Sequence, residues 1–551
     1  MAFLLMWIEA LAAALLFVAM IMSLRRRSTK HWQLVACGAI IGLVLLTPIA
    51  LVFAFAFKSR LQQFLGAGLM VSLLCWAAVF AAGAAVIVVR GARRTESDPP
   101  FRAGTWPRAK LGIAFGAALA LLLITFWNTD AAVRVQLAAL RAEAGALALS
   151  VAPPRVPDRD NAAIFYEKAF EAMVPAKDMP AEWTAKQSKW QSGFSRPNFD
   201  TADKDFRDYL ARHRAALDYF RRGSALPGCH FERDYGQPSM DMPLPELGRM
   251  RAGARLLAAS ARVRAADADV KGALEDVTAI FNLSAHTGQE PLLISLLVAA
   301  AINNLGKDSL EGVLAGATAA AAELSVLKLA DNRSFQHLLR RALIYEEASG
   351  LSAFATLATP EGVQSMRYMY TSGQLEAGLF DSLVLPPWRV FLLPDDLAAY
   401  RGSMRECRHL NLRPYYETKA EWQKYESIAE AKPGGILTSL IMPALSRTSF
   451  ATHRADAVHR LSCLAVAAAT YRAKNLRFPE KLEDLAPDFI TAIPTDPFDG
   501  KPLKMERSGQ GLVLYSVGPD GKPLPEKPFT EDDWRVFRLG ATAPDGKKAD
   551  F

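Results

Sequence analysis

Four long apolar runs occupy the first 130 residues and constrain the fold more than any other feature of the sequence. They span residues 4–24, 34–57, 64–89 and 111–127. Each is close to the roughly 20 residues that a helix needs to cross a hydrocarbon core of about 30 Å. None of them shows the polar stripe of a helix at the surface of a core. The sequence therefore predicts a four-helix transmembrane anchor at residues 1–130.

Basic residues in the connecting segments predict the orientation of this anchor. The segments after the first and third runs together carry ten Lys and Arg residues, and the segment after the second carries two. Basic loops stay on the cytoplasmic side, so we expect the N-terminus and everything after residue 127 to lie outside. The predicted location is a bacterial inner membrane, with the lipid bilayer as a partner and the C-terminal part in the periplasm.

Charge is distributed unevenly along the chain. The net charge is +8, and residues 1–130 account for all of it, with twelve Lys and Arg against four Asp and Glu. The basic character therefore follows from the predicted topology and gives no footprint for nucleic acid. Glu9 is the acidic residue inside a predicted span, where an ionisable group can mark a proton or ion path.

A proline-rich break separates the predicted anchor from the rest of the chain. Residues 131–160 continue as a juxtamembrane helix and end in VAPPRVPDRD, where Asp160 and Asn161 are natural helix N-caps. Apolar residues then recur at helical spacing, and residues 272–285 belong to a helix pair of tetratricopeptide character. We predict an irregular, tetratricopeptide-like α-helical domain for residues 161–432.

The last part of the chain, residues 433–551, changes character. A long helix is predicted from about residue 436 to 474, and the apolar segment LVLYSV follows between two Asp-Gly turns. This part resembles the periplasmic body of the major pseudopilin of type II secretion. The residues that carry the resemblance are Tyr471, Asn475, Phe478, Pro479, Asp496, Pro497, Phe498, Gly500, Tyr515, Ser516, Gly518, Asp520 and Gly521.

The resemblance implies a small α+β module in which a long helix packs on an antiparallel sheet. The family binds calcium in its terminal loop, and Asp496, Asp499 and Asp520 are oxygen donors of the required kind. Lys501, Lys504 and Lys522 are interleaved with them and weaken the attraction for a cation, so ordinary turn aspartates are the favoured alternative. The whole chain is also similar to uncharacterised bacterial membrane-anchored proteins that carry such a tail.

Cysteines and sequence motifs give little chemistry. Cys463 falls among apolar residues at helical spacing, which leaves Cys229 and Cys407 as a candidate disulfide in an oxidising compartment. The sequence contains no zinc-protease, nucleophile-elbow, phosphate-loop or dinucleotide-binding motif. We therefore predict no catalytic residue, and no cofactor unless the tail binds calcium.

Together these features predict a membrane-anchored periplasmic scaffold for other envelope proteins, with a tail that associates with secretion or pilus-like machinery. The alternatives are a periplasmic hydrolase with a site assembled from scattered residues, and a membrane sensor or transporter that uses Glu9. A deep pocket lined by carboxylates with shifted pKa values would favour the hydrolase. A broad exposed apolar groove would favour the scaffold. The sequence does not identify a small-molecule ligand.

Overall fold

The computed structural model describes most of the chain after residue 130. The described residues are 131–540 apart from 194–199, 240–241, 317–318, 328, 331–332, 357–392, 432–435, 509–510 and 522–533. Helices make up most of this part. They are α1 (131–149), α2 (Ala162–Ala172), α3 (Ala181–Gly193), α4 (Lys204–Arg212), α5 (Arg214–Ser224), α6 (Pro245–Ala266), α7 (Val270–Thr287), α8 (Leu293–Gly316), α9 (Ala321–Leu324), α10 (Phe335–Thr356), α11 (Leu393–Leu410), α12 (Tyr415–Ala431) and α13 (Ile436–Asn475).

The structure contradicts the prediction of a four-helix transmembrane anchor, and with it the predicted multi-pass location in an inner membrane. None of the described helices has both the length and the sustained apolar composition of a membrane span. Even α13, with 40 residues, carries Arg454, Asp456 and Arg460 in its middle. The four apolar runs themselves, at residues 1–130, lie outside the described residues. The fold class is corrected to mainly α with a small antiparallel sheet.

Local capping explains where several helices begin. The Asn161 side chain accepts a hydrogen bond from the Ala163 amide at 3.1 Å, so the predicted cap of α2 is confirmed. Asp269 caps α7 in the same way, by accepting from the Gly272 amide at 3.0 Å. Pro245 occupies the start of α6, where its missing amide hydrogen costs nothing.

Helices α6, α7 and α8 follow one another through short connections and pack together at the centre of the described part. Their contact with the preceding helices depends on a small residue. Gly253 of α6 lies against the ring of Phe220 of α5, and a Cβ at position 253 would come within 2.1 Å of that ring. This close approach lets the aromatic cluster of α2 to α5 join the core of the stack.

Helix α13 runs through the middle of the helical domain and carries polar side chains on its buried face. We call this row the polar ladder. Its members are each at most 2% exposed and recur at helical spacing: Ser449, Thr452, His453, Asp456, His459 and Ser462. Hydrogen-bond partners matter on this face, because an unpaired buried polar group is costly, and Ser449 Oγ and His453 Nε2 have none among the described residues.

Neighbouring helices supply partners for two rungs of the polar ladder. Asp456 accepts the backbone amides of Phe335 and Gln336 at 2.6 and 3.0 Å, and so caps α10 from another helix. His459 lies 3.2 Å from the side-chain oxygen of Asn303 and 2.8 Å from the carbonyl oxygen of Ala330. These contacts fix α13 against α8 and α10.

The sheet has three antiparallel strands in the order β1-β2-β3, with β1 at Lys504–Ser508, β2 at Gly511–Tyr515 and β3 at Val536–Leu539. Its apolar side chains, such as Leu514 and Phe537, lie in the same core cluster as Phe281 of α7. The sheet and the helical domain therefore share one core.

A buried charged group joins β3 to α8. Lys307 is 3% exposed, and its ammonium lies 2.8 Å from Glu311, which also accepts from Arg538 of β3 at 3.0 Å. The Lys307 ammonium lies 5.9 Å from the centre of the Phe537 ring. Paired charges and a ring contact thus hold the sheet in place.

Candidate functional site

The segment between α5 and α6, at residues 225–244 with 240–241 outside the described residues, is held at several points. The Asn161 side chain both accepts from the His230 amide at 2.9 Å and donates to the His230 carbonyl at 3.0 Å. The Cys229 amide donates to the Gln289 side chain at 3.0 Å. These bonds add to a parallel β-bridge between Asn161 and Gly228, they satisfy backbone groups of the segment, and they place Arg233 inside the domain.

Arg233 binds two glutamates in the interior, and we call these three residues the Arg233 centre. Its Nε donates to Glu290 Oε1 at 3.0 Å and its Nη2 donates to Glu246 Oε1 at 2.5 Å. The three side chains are only 7%, 7% and 8% exposed, in the order Arg233, Glu290 and Glu246. A third guanidinium nitrogen, Nη1, donates to the carbonyl of Pro243 at 3.2 Å.

The Arg233 centre is unbalanced in charge and in hydrogen bonds. One guanidinium faces two carboxylates, which leaves one negative charge without a counterpart when both are ionised. Glu246 lies in the first turn of α6, where the helix dipole favours a negative charge. Glu290 has no such support: its Oε2 is buried and has no hydrogen-bond partner among the described residues. Burial raises the pKa of Glu290 despite the opposing effect of Arg233.

Glu246 and Glu290 form part of the wall of a small cleft. The remaining wall residues are mostly apolar or weakly polar: Cys229, Phe231, Leu247, Met250, His286 and Thr287. The cleft leaves room for about one water molecule. Its geometry therefore suits a single small polar group at the end of an apolar chain.

Two further hydroxyl groups near Glu290 have no partner in the described part of the chain. They belong to Ser295, in the first turn of α8, and to Tyr235, in the segment that carries Arg233. The Ser295 hydroxyl faces the Glu290 carboxylate closely enough to lower its pKa as a hydrogen-bond donor would, and Glu290 raises the pKa of Tyr235. Neither Ser295 nor Tyr235 belongs to the cleft wall, so Glu290 is the residue of the three that a group in the cleft meets.

His286 of the cleft wall pairs with Tyr166, and the geometry of this pair gives it no reactive role. The Tyr166 hydroxyl lies 2.6 Å from His286 Nδ1, and His286 Nε2 lies 3.0 Å from the Leu226 carbonyl oxygen. A carbonyl only accepts, so Nε2 carries the proton and Nδ1 accepts from Tyr166. Burial lowers the pKa of His286 to about 4, and both of its nitrogens are occupied.

The two cysteines predicted as a candidate disulfide are free thiols in the structure. Cys229 lies in the core of α2 to α7, and Cys407 lies in the core around α10, α11 and α13. The predicted bridge is therefore not formed. Burial raises the pKa of the Cys229 thiol, with Glu290 as the next contribution, so this thiol stays protonated.

The predicted calcium residues take different places in the C-terminal part. Asp496 is fully buried, and it accepts from the Phe498 amide at 3.0 Å and the Val517 amide at 2.8 Å. Asp499 accepts from the Lys501 amide at 2.8 Å, within the turn that contains Gly500. These two carboxylates stabilise turns, which is the role that the alternative to calcium binding gives them.

Asp520, the third predicted ligand, is exposed and lies in a turn that continues through Gly521. Within the described residues, no group of three or more His, Cys, Asp or Glu side chains is arranged to hold a metal ion. Calcium binding by Asp496, Asp499 and Asp520 stays a prediction that the arrangement of Asp496 does not favour.

Sequence reasoning missed the Arg233 centre because its members are far apart in the chain. Arg233 and Glu290 are separated by 57 positions, and no local motif surrounds either one. The available signal was the run of three charged residues in FERDYG, a short stretch between two predicted helices that is rich in turn-forming residues. That signal shows a loop with charge and does not show burial.

The comparisons with known proteins place the chain in no described group. No family model matches the sequence, and no curated protein and no solved structure matches it either. The resemblance of the tail to the major pseudopilin stays a prediction from Tyr471 to Gly521.

Proposed function

We propose that this protein is an interaction scaffold whose helical domain binds a side chain of a partner protein in the cleft at the Arg233 centre. The observation that carries the proposal is the Glu290 carboxylate, whose Oε2 is buried, unpaired among the described residues and part of a cleft wall. An unpaired buried acceptor costs about 1–3 kcal/mol. A donor supplied by a partner removes that cost on binding.

The way in which the cleft is built supports binding. The segment at residues 225–244 is fixed through Asn161 and Gln289, and Arg233 holds both glutamates in place. A site whose side chains are already ordered loses little conformational entropy when a ligand enters. Pre-organisation of this kind is typical of recognition sites on helical scaffolds.

The protonation states of the neighbouring groups also support binding over nucleophilic chemistry. The Cys229 thiol is kept protonated by burial, and the thiolate is the reactive form. His286 is neutral, with Nδ1 occupied by Tyr166 and Nε2 by the Leu226 carbonyl, so it has no free nitrogen to accept a proton.

A site-specific cross-link tests the proposal in cells that make the protein. A photoreactive phenylalanine analogue replaces Phe231, which is partly exposed at the cleft, and in a control it replaces Leu476, which is 91% exposed at the end of α13. We expect one discrete cross-linked protein from position 231 and none of the same mass from position 476. Glu290→Gln in the same chain is expected to remove that product.

The proposal fails if position 231 gives no product, or if Glu290→Gln leaves the product unchanged. In the second case the partner lies near the cleft without using the Glu290 carboxylate. Immunoblots of each variant control for its amount.

A hydrolase is the second candidate, because burial raises the pKa of Glu290 in the manner of a general acid. In that case a panel of chromogenic esters, amides and glycosides would include a substrate that the purified protein hydrolyses. Glu290→Gln would abolish the activity, and Glu232→Gln, an exposed neighbour of the cleft segment, would not. A protein that hydrolyses nothing in the panel while the cross-link forms supports the scaffold.

A further inference from the structure

We infer that the group bound in the cleft is an ammonium group, either a free small amine or the end of a lysine side chain. The lysine source rests on the proposed function, and the free amine does not. The charge of the Arg233 centre, the size of the cleft and the unpaired oxygen of Glu290 all favour an ammonium group.

Charge is the first argument. Arg233 is the guanidinium that pairs with Glu246 and Glu290, and all three side chains are at most 8% exposed. A buried negative charge without a counterpart is strongly unfavourable, and it is relieved by a proton or by a cation. A ligand with one positive charge balances the centre without changing any of its existing bonds.

Size is the second argument. The cleft has room for about one water molecule, and a terminal ammonium group has about that size. A guanidinium group is planar and larger, with five hydrogen-bond donors, so it exceeds both the space and the acceptors available. The ammonium group fills that space, so the methyl or methylene group that follows the nitrogen lies at the opening of the cleft, beside the partly exposed Phe231.

Hydrogen-bonding character is the third argument. An alkylammonium group has three donors and no acceptor. Glu290 Oε2 is a buried acceptor without a partner among the described residues, and Glu290 belongs to the cleft wall. Its carboxylate supplies a charge-assisted bond to the ammonium group, and the Phe231 ring in the same wall adds attraction for a cation.

Thermal unfolding of the full chain with defined salts tests the inference. The probes are methylammonium chloride and, at equal ionic strength, potassium chloride and tetramethylammonium chloride, which has the charge without a donor. We expect methylammonium alone to raise the melting temperature in a saturable way, because a ligand that binds only the folded state stabilises it. Glu290→Gln is expected to abolish the rise, and Glu232→Gln to keep it.

A second set of probes distinguishes the two sources of the ammonium group. Nα-acetyl-lysine amide and its norleucine counterpart differ only in the terminal amine. A response to the lysine derivative and to methylammonium supports a lysine of a partner, and a response to methylammonium alone supports a free amine. Equal shifts with all salts, or a shift that survives Glu290→Gln, would overturn the inference.

The outcomes separate this inference from the proposed function. A partner cross-link at position 231 without any response to methylammonium or to the lysine derivative means that the scaffold stands and the ammonium inference is wrong. A saturable methylammonium response without a cross-link means that the cleft binds a small amine and that the scaffold proposal is wrong.

Discussion

Asp456 and Glu290 are buried carboxylates in the same helical domain, and they differ in how completely their oxygens are paired. Asp456 uses both oxygens on the backbone amides at the start of α10, at 2.6 and 3.0 Å. Glu290 uses Oε1 on Arg233 at 3.0 Å, and its Oε2 has no partner among the described residues. Burial raises the pKa of both groups.

The difference separates a structural carboxylate from a candidate binding group. Both groups carry the cost of desolvation, and Asp456 recovers it by capping a helix that other contacts also hold. Glu290 recovers only part of its desolvation cost, and a ligand that brings a hydrogen-bond donor recovers the rest when it binds. In this protein, incomplete pairing is a better guide to a functional site than burial or a shifted pKa.

The largest effect is expected from Arg233→Met, which leaves Glu246 and Glu290 buried without their cation. Breaking a buried ion pair by removing one partner costs about 3–5 kcal/mol, and we expect a loss of that size in urea unfolding at pH 7. The control is Arg207→Met, since Arg207 and Asp267 form an exposed pair at 2.8 Å whose side chains are 39% and 49% exposed. That pair is worth about 0–1 kcal/mol, and equal losses in the two variants would contradict the special role of the Arg233 centre.

The next effect is expected from Asp456→Ala, which removes the acceptor of two amides at the start of α10. A buried donor left unpaired costs about 1–3 kcal/mol. The Phe335 amide is buried and the Gln336 amide is only partly buried, so we expect a total loss of about 2–4 kcal/mol in urea unfolding. Asp456→Asn keeps one acceptor oxygen and is expected to lose about half as much. If Asp456→Ala is as stable as the parent protein, Asp456 is not the cap that its geometry indicates.

The polar ladder also predicts a loss of stability in acid. His453 donates from Nδ1 to the Ser449 carbonyl at 2.7 Å and stacks on Tyr415 at 4.5 Å, and its Nε2 has no partner among the described residues. Burial, with a smaller effect of Arg460, lowers its pKa to about 4. The pKa of an unfolded histidine is about 6.5, so the neutral form is favoured by folding.

The contribution of neutral His453 to the free energy of unfolding is therefore fully present above pH ~6.5. It is lost as the pH falls toward about 4, by up to about 3 kcal/mol. His286 contributes in the same direction. His453→Phe should reduce the fall in the free energy of unfolding between pH 7 and pH 5. The control, His337→Phe, changes an exposed histidine and should leave the slope as it is. The same slope in all three proteins would show that His453 titrates normally.

The smallest effect is expected from Glu290→Gln, which removes the unbalanced charge and keeps the oxygen that Arg233 contacts. Because the folded pKa of Glu290 is raised, its contribution to stability is present below the unfolded pKa and is lost as the pH rises. The variant should match the parent at pH 4 and gain about 1 kcal/mol or less at pH 7, whereas most substitutions destabilise. A loss at pH 7 would mean that both oxygens are already paired in solution.

Much of the local structure follows from short stretches of sequence. The Asn161 cap is where its residue type and position predict it, and α13 spans Ile436–Asn475 where a helix from about 436 to 474 is predicted. β2, at Gly511–Tyr515, covers the first four residues of the apolar segment LVLYSV. These features depend on neighbours a few positions apart, and hydrophobic periodicity and capping report such neighbours directly.

Long-range pairing is where sequence reasoning failed. It predicted that α13 packs on the small sheet, and α13 does contact β2 and β3, but it did not show that α8, α10, α11 and α12 also pack on this helix and bury its polar ladder. It offered Cys229 and Cys407 as a disulfide, and they lie in different core clusters. It passed over Arg233, Glu246 and Glu290, because a charged residue in a loop is usually solvated.

The chain's order of residues settles its helices, their caps and the turn glycines of the C-terminal part, because each depends on backbone conformation and near neighbours. Only tertiary packing decides that Arg233 meets Glu246 and Glu290, and that one carboxylate oxygen remains unpaired at a cleft. The physical reason is that desolvation is a property of everything that surrounds a group. The desolvation cost of a carboxylate and its capacity to bind a ligand are therefore set by residues outside its own segment of the chain.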